Sequence, residues 1–119
     1  MYAGSVPFRR DYILRMADRL AELAARILGL RSAGKLDEAS QEAEQAYGEL
    51  LDVPPGLIDV VDAATLASLV GAPEKLPGVA DLLDADAEVL AARGDAVRAA
   101  RRRELASGLR EAASRARDA

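Results

Sequence analysis

Apolar residues recur along residues 13–30 at alternating spacings of three and four, which is typical of a helix that buries one face. The main stripe consists of Ile13, Met16, Leu20, Leu23, Ile27 and Leu30. A second stripe lies beside it and consists of Leu14, Ala17, Ala21, Ala24 and Leu28. Because the two stripes form a wide apolar arc, we expect this helix to contact more than one neighbour. The main stripe is therefore either core or the seam of a homodimer.

Glycine and proline divide the rest of the chain into shorter helical segments. A first helix is predicted to begin between residues 8 and 11 and to end near residue 33, with Gly34 in the left-handed conformation that closes many helices. A second helix is predicted over about 36–51, where the sequence VPPG at 53–56 removes amide donors and stops it.

The middle of the chain carries the signals of a short helix. Residues 57–61, LIDVV, have the composition of a strand, but no second strand candidate could pair with them, so a short helical turn is predicted. Asp62 is a typical N-cap, and Gly71 is a typical end for a helix over Ala63–Val70. The connector GAPEKLPG at 71–78 lacks the spacing of a phosphate-binding loop.

The C-terminal third predicts two more helices. One begins at either Glu74 or Val79 and runs to Arg93, with Gly94 ending it, and the other runs from Asp95 towards Arg115. Strong helix formers dominate and β-branched residues are scarce, so the chain is predicted to be all-α with about five helices. We expect one domain over 1–119, divided into a first hairpin (8–51), a linker with a short helix (52–78) and a second hairpin (79–116).

Composition makes several function classes improbable. The chain has no Cys and no His, which removes disulfides, thiolate metal sites and the commonest general base. The DxDxE string at 84–88 lies in a predicted helix, whereas a calcium loop needs a non-helical backbone. We therefore expect no enzyme activity, no cofactor and no metal. Since we find neither a secretory signal nor a membrane span, we expect a cytoplasmic protein.

The net charge of −4 is unevenly distributed along the chain. Residues 1–35 carry seven basic and three acidic side chains, residues 36–90 carry one and thirteen, and residues 91–119 carry eight and four. Two positive ends therefore flank a negative middle. The simpler interpretation is that the ends pack beside the middle and the charges offset each other. The alternative is that one charged patch recruits a partner.

Two stretches have the pattern of an internal repeat. LRSAGKLDEA at 30–39 and LAARGDAVRA at 90–99 both have Gly four residues after Leu and Ala five residues after Gly. This pattern resembles tetratricopeptide units, which are pairs of antiparallel helices with Gly at the corner. The matching residues are Gly34, Leu36, Ala39 and Ala46 in the first unit, and Gly94, Ala99 and Ala106 in the second.

The resemblance is to a divergent and interrupted member of that class. The large aromatic positions are missing, and sixty residues separate the units, whereas tetratricopeptide units repeat about every 34 residues. The run from Arg9 to Leu51 also resembles the opening of an uncharacterised family of bacterial proteins with a tetratricopeptide-like fold, and the resemblance continues more weakly to Arg103. It implies a fold and no activity.

In tetratricopeptide units, the first helix of each pair lines a concave groove, so the resemblance implies a groove here. Its positions are Ala21, Ala24, Leu28 and Arg31 in the first hairpin, and Asp81, Asp84, Glu88 and Ala91 in the second. Such a groove would be apolar at one end and acidic at the other, unlike the basic grooves that hold peptide carboxyl ends. The implied function is a non-catalytic interaction module that accepts a basic segment of an unidentified protein partner.

Two other interpretations of the acidic residues stay open. They form an ordinary solvated helix face, or they pair with this chain's own Arg98, Arg101 and Arg102. These three arginines and Arg103 also form a basic patch, which suggests a nucleic-acid-associated regulator as the alternative function. An isoelectric point of about 4.9 and the absence of an aromatic platform disfavour nucleic acid. Salt bridges within or between chains are the favoured role of the patch, and an ordinary solvated face is the next alternative.

Overall fold

The computed structural model describes the backbone of residues 5–119 and the side chains of residues 10–54 and 56–119. These residues contain helices and no strand, so the all-α prediction is confirmed. The helices are α1 (Ser5–Ser32), α2 (Leu36–Leu50), α3 (Pro55–Ile58), α4 (Ala63–Val70), α5 (Leu76–Ala92) and α6 (Ala96–Asp118), with a 3-10 turn at Pro73–Lys75 before α5. The four-residue α3 is the addition to the five helices that the sequence predicted. Residues 1–4 of the predicted domain lie outside this description.

The turns that follow α1 and α5 have the same construction. Gly34 and Gly94 adopt φ angles of +79° and +89°, a conformation that favours glycine. In each turn, the amide of the residue after the glycine donates to the carbonyl four residues before the glycine at 2.9 Å. The alanine five residues after each glycine, Ala39 or Ala99, is fully buried. Residues sixty positions apart therefore have equivalent structural roles.

Helices α1 and α5 lie side by side and run in the same direction. Gly78, near the start of α5, is close to Leu20 in the middle of α1. Ten residues later, Glu88 lies 3.5 Å from Arg31 at the end of α1. Helix α2 packs on α1, and α6 packs on α5. The first helices of the two hairpins thus form one face of the molecule.

The segment between the hairpins covers α6. Helix α4 packs against α6, and its bounds agree with the predicted Ala63–Val70. The Asp62 Oδ1 atom accepts the Thr65 amide at 2.7 Å as the N-cap, and Gly71 ends the helix with φ of +85°. The LIDVV segment forms the end of α3 and a turn, as its lack of a pairing strand indicated.

Several helix ends differ from the sequence prediction. Helix α1 begins at Ser5, before the predicted 8–11. Pro7 lies in its first turn, where backbone N–H groups have no acceptor within the helix, so the absence of an N–H on proline costs no hydrogen bond. Helix α5 begins at Leu76, between the two starts considered, and Pro77 likewise lies in its first turn. Helix α6 continues to Asp118, three residues beyond Arg115.

The two apolar stripes of α1 have different environments. In the main stripe, Leu20 and Ile27 are fully buried within the chain, and Leu23 and Leu30 pack against the same core. The first two members of that stripe, Ile13 and Met16, are partly exposed. The second stripe faces outwards at both ends, because the side chains of Leu14 and Leu28 are 40% and 41% exposed. The main stripe is therefore core from Leu20 onwards.

Two helical glycines lie where helices approach each other closely, and we expect their replacement by alanine to be destabilising. A Cβ on Gly78 would lie 2.9 Å from Leu20 Cβ and 3.0 Å from the Ala17 carbonyl oxygen, and a Cβ on Gly108 would overlap Ala63 Cβ. Gly78→Ala and Gly108→Ala should each lower the free energy of unfolding by about 1–3 kcal/mol through overpacking. Urea denaturation followed by circular dichroism measures this.

Gly48 supplies the matched control, because a Cβ there meets nothing within 4 Å. Gly48→Ala should raise the free energy of unfolding by about 0.5–1 kcal/mol, since it only restores helix propensity. If all three replacements stabilise the protein, these helices do not approach each other as described.

Candidate functional site

A cleft of about 550 Å³ lies between α1 and α5. It contains six of the eight groove residues predicted from the sequence, namely Ala21, Ala24, Leu28, Asp81, Asp84 and Glu88. Of the other two, Arg31 binds Glu88, while Ala91 is exposed and does not line the cleft. The sequence did not indicate the other three lining residues, which are Ala25, Ala85 and Arg103. We call this cleft the α1–α5 groove.

One wall of the α1–α5 groove is apolar and shallow. Ala24 of α1 and Ala85 of α5 form the floor of the groove and are almost completely buried. Ala21, Ala25 and Leu28 project from α1 and are exposed to solvent. Small side chains on this wall let another backbone approach α1 closely, and Leu28 offers the largest apolar contact surface.

The other wall is a row of carboxylates that α6 holds in place. The Arg110 guanidinium donates to Asp81 at 2.7 Å and to Asp84 at 2.6 Å. The hydrogen bond to Asp84 is the main reason that the pKa of Arg110 is raised. Glu88 lies 3.5 Å from both Arg31 and Arg103. All three carboxylates are about half exposed, so solvent screens these ion pairs.

The groove therefore has counter-ions within the chain, but they are not the ones considered from the sequence. The interpretation that Arg98, Arg101 and Arg102 neutralise the acidic row is wrong. Arg103 and Arg110 do so, because they lie seven residues apart and thus on the same face of α6. That spacing was visible in the sequence, since Arg103 and Arg110 are two helical turns apart.

The remaining arginines of the basic patch bind the linker. Arg98 donates to both carboxylate oxygens of Asp59 at 3.2 and 3.3 Å. Arg101 donates to the carbonyl oxygens of Asp59 and Val61 at 3.0 and 2.6 Å. These contacts satisfy backbone carbonyls in the turn after α3 and attach that turn to α6. All four predicted patch residues, Arg103 included, thus make contacts within the chain.

Arg102 is the centre of a buried polar network. Its side chain is only 3% exposed and donates to Asp86 at 2.9 Å and to Asp59 at 2.7 Å. The Tyr47 hydroxyl donates to the same Asp86 carboxylate at 2.7 Å. The network joins α2, the linker, α5 and α6, and every buried polar side-chain atom among the described residues has a partner. We call these four residues the Arg102 network.

The charges of the Arg102 network shift pKa values in opposite directions. Burial, with the adjacent Asp86 carboxylate, raises the pKa of Tyr47 well above its usual 10.0. Burial also acts to raise the pKa of Asp59, but hydrogen bonds from Arg102 and Arg98 outweigh it, so the pKa falls below 3.8. The stability that Asp59 contributes is therefore complete above pH 3.8 and is lost as the pH falls through its lower folded-state pKa.

Sequence reasoning missed the Arg102 network. No polar role was predicted for Tyr47, and Asp86 appeared only within the acidic string at 84–88. The two residues are 39 positions apart, and nothing local signals their pairing. A weaker signal did exist. The residues Leu105, Leu109 and Ala113 form an apolar stripe along α6, and Arg102 occupies the position one turn before it, where a hydrophobic residue would continue the stripe.

The described residues show neither a metal-binding cluster nor a helix that could span a membrane. Among the described residues, no three acidic side chains converge in a way that could hold a metal ion. None of the helices from α1 to α6 combines the length and apolar character needed to cross a membrane.

No family model matches this chain, and comparison with curated proteins and with solved structures also gives no match.

Proposed function

We propose that this chain is a divergent, tetratricopeptide-like, non-catalytic interaction module. The observation that carries the proposal is the α1–α5 groove, which is lined by the first helices of both hairpins, as in tetratricopeptide units. The equivalent turns at Gly34 and Gly94 support a two-unit arrangement. The interruption by α3 and α4 accounts for the sixty-residue separation of the units.

The occupant that fits the groove best is an amphipathic helix with basic residues along one edge. Its apolar face would lie on Ala21, Ala25 and Leu28, and its cations would lie along the carboxylates of α5. Exposed ion pairs such as Arg110–Asp84 each contribute about 0–1 kcal/mol. A basic partner can therefore share or replace these arginines at little cost in stability.

A binding role suits this chemistry better than catalysis. The polar groups of the groove are carboxylates held by arginine, and its apolar wall is alanine and leucine. The alternative function, a nucleic-acid-associated regulator acting through Arg98–Arg103, receives less support. The guanidinium groups of that patch bind Asp59, Asp86, Glu88 and linker carbonyls, and Arg102 is buried.

A peptide titration tests the groove directly. The probe is a fluorescent peptide of about 20 residues, built from Lys, Leu and Ala at helical spacing so that it folds on binding. Fluorescence anisotropy should show saturable binding to the native chain. The triple variant Asp81→Lys, Asp84→Lys and Glu88→Lys should bind at least about tenfold more weakly, because three attractive contacts become repulsive.

The matched control reverses the same number of charges elsewhere. Glu49, Glu104 and Glu111 are exposed and lie away from the cleft, so the triple Lys variant at these positions has the same net charge as the groove variant. The control should bind like the native chain, apart from a general loss due to net charge. If both variants lose affinity equally, the peptide senses net charge only and the groove proposal is overturned.

A further inference from the structure

We propose that the occupant of the α1–α5 groove is a second copy of this chain. The α1 helices of two copies would pack antiparallel, so that α1 of each copy lies in the groove of the other. This inference rests on the proposed function, since it names the partner of the same groove. An isologous dimer of this kind closes on itself, so the basic peptide binds the native chain by displacing the second copy from the groove.

The first observation is that residues 10–19 of α1 are only partly covered by the rest of the chain. No side chain from Arg10 to Arg19 is buried, and Tyr12 is 56% exposed. Helical segments of this length are marginal in water and derive most of their stability from packing an apolar face. The second stripe, which begins at Leu14, provides such a face, and its members Ala21 and Leu28 line the groove.

The second observation is the symmetry of that stripe. Leu14, Ala21 and Leu28 are each seven residues apart and so lie on one line along α1. In an antiparallel pair with its two-fold axis at Ala21, each residue lies opposite the one equally distant on the other side of Ala21. Leu14 then meets Leu28 of the second copy at both ends, and the two Ala21 residues meet at the axis, where their small size allows close approach.

The third observation is charge complementarity. Helix α1 contains six arginines and three acidic residues, whereas α5 contains four acidic residues and no basic one. In the antiparallel arrangement, Arg10 of one copy lies level with Ser32 of the other, beside Glu88 at the end of the carboxylate row. Helix α1 is thus itself the basic amphipathic helix that the groove fits.

Light scattering after size exclusion gives the oligomeric state, and single cysteines give the register, since the native chain has no cysteine. The native chain should have twice its 12.6 kDa mass. Under mild oxidation, Ala21→Cys should form a disulfide-linked dimer rapidly, because its sulfur atoms meet at the axis. Val97→Cys, at an 81% exposed position on α6, gives the rate of random collision.

Leu14→Cys alone should not exceed that collision rate, because antiparallel packing separates the two copies of residue 14 by about 21 Å along the helices. A mixture of Leu14→Cys and Leu28→Cys chains should form heterodimers. A native mass of 12.6 kDa at every concentration, or Ala21→Cys cross-linking no faster than Val97→Cys, overturns the inference. Rapid cross-linking of Leu14→Cys alone also overturns it, since that indicates a parallel pair.

These outcomes are separable from those of the proposed function. A chain that is monomeric but still binds the basic peptide at the groove removes the second copy as occupant and leaves the groove function standing. A chain that fails to bind the peptide even as the monomeric variant Leu14→Glu removes the groove function itself.

Discussion

Replacement of Arg102 by methionine should lower the free energy of unfolding by about 3–5 kcal/mol. Methionine retains much of the side-chain volume but removes the donors to Asp86 and Asp59. Asp86, whose side chain is 9% exposed, then keeps only the Tyr47 hydroxyl as its donor. Since domains of this size are stable by about 5–15 kcal/mol in total, the loss is large. Urea denaturation followed by circular dichroism measures it.

The neighbouring arginine provides a matched control. Arg103 is 49% exposed and lies 3.5 Å from Glu88, so Arg103→Met should cost at most about 1 kcal/mol. Equal costs for the two replacements would contradict the buried network. The triple variant Arg102→Met, Asp86→Leu and Tyr47→Phe should regain much of the stability, because no unpaired polar group then remains inside.

Replacement of Leu20 by glutamate should unfold the protein, with a loss greater than about 4 kcal/mol. Leu20 is fully buried and lies against Gly78, where α1 and α5 pack closely. A glutamate there would bury an ionisable group among apolar side chains. The expected result is loss of the cooperative urea transition and of most helical circular dichroism signal.

Leu14→Glu tests the outward stripe with the same chemical change. Leu14 is 40% exposed, so the variant should remain folded, and its free energy of unfolding as a monomer should change by at most about 0.5 kcal/mol. It should also abolish the antiparallel dimer.

A soluble, folded Leu20→Glu chain would be incompatible with the packing described, because it would place the main stripe in a seam between chains.

The sequence predicted best those features that local signals determine. Gly34 and Gly94 were assigned to turns because left-handed backbone strongly favours glycine, and both have positive φ angles. Asp62 and Gly71 bracket α4 for similarly local reasons. The start of α1 was placed too late, because Pro7 was not given its role in a first turn.

Features that depend on tertiary contacts were harder to predict. The sequence showed two apolar stripes on α1, but periodicity alone does not reveal which stripe the neighbouring helices cover. Six of the eight positions counted back from the corner glycines line the α1–α5 groove, whereas Arg31 and Ala91 do not. The counter-ions of the groove were assigned to the wrong arginines, since the face of α6 that meets α5 depends on how the hairpin packs.

The central claim is that the α1–α5 groove binds a helix, and amide chemical-shift mapping tests it most directly. An isotope-labelled Leu14→Glu chain, expected to be monomeric, is titrated with the basic Lys-Leu-Ala peptide, and shifts are followed by heteronuclear NMR. The largest shifts are expected along residues 21–28 and 81–88, with little change in α2 and α4. Saturable shifts confined to other surfaces, or none at all, would contradict it.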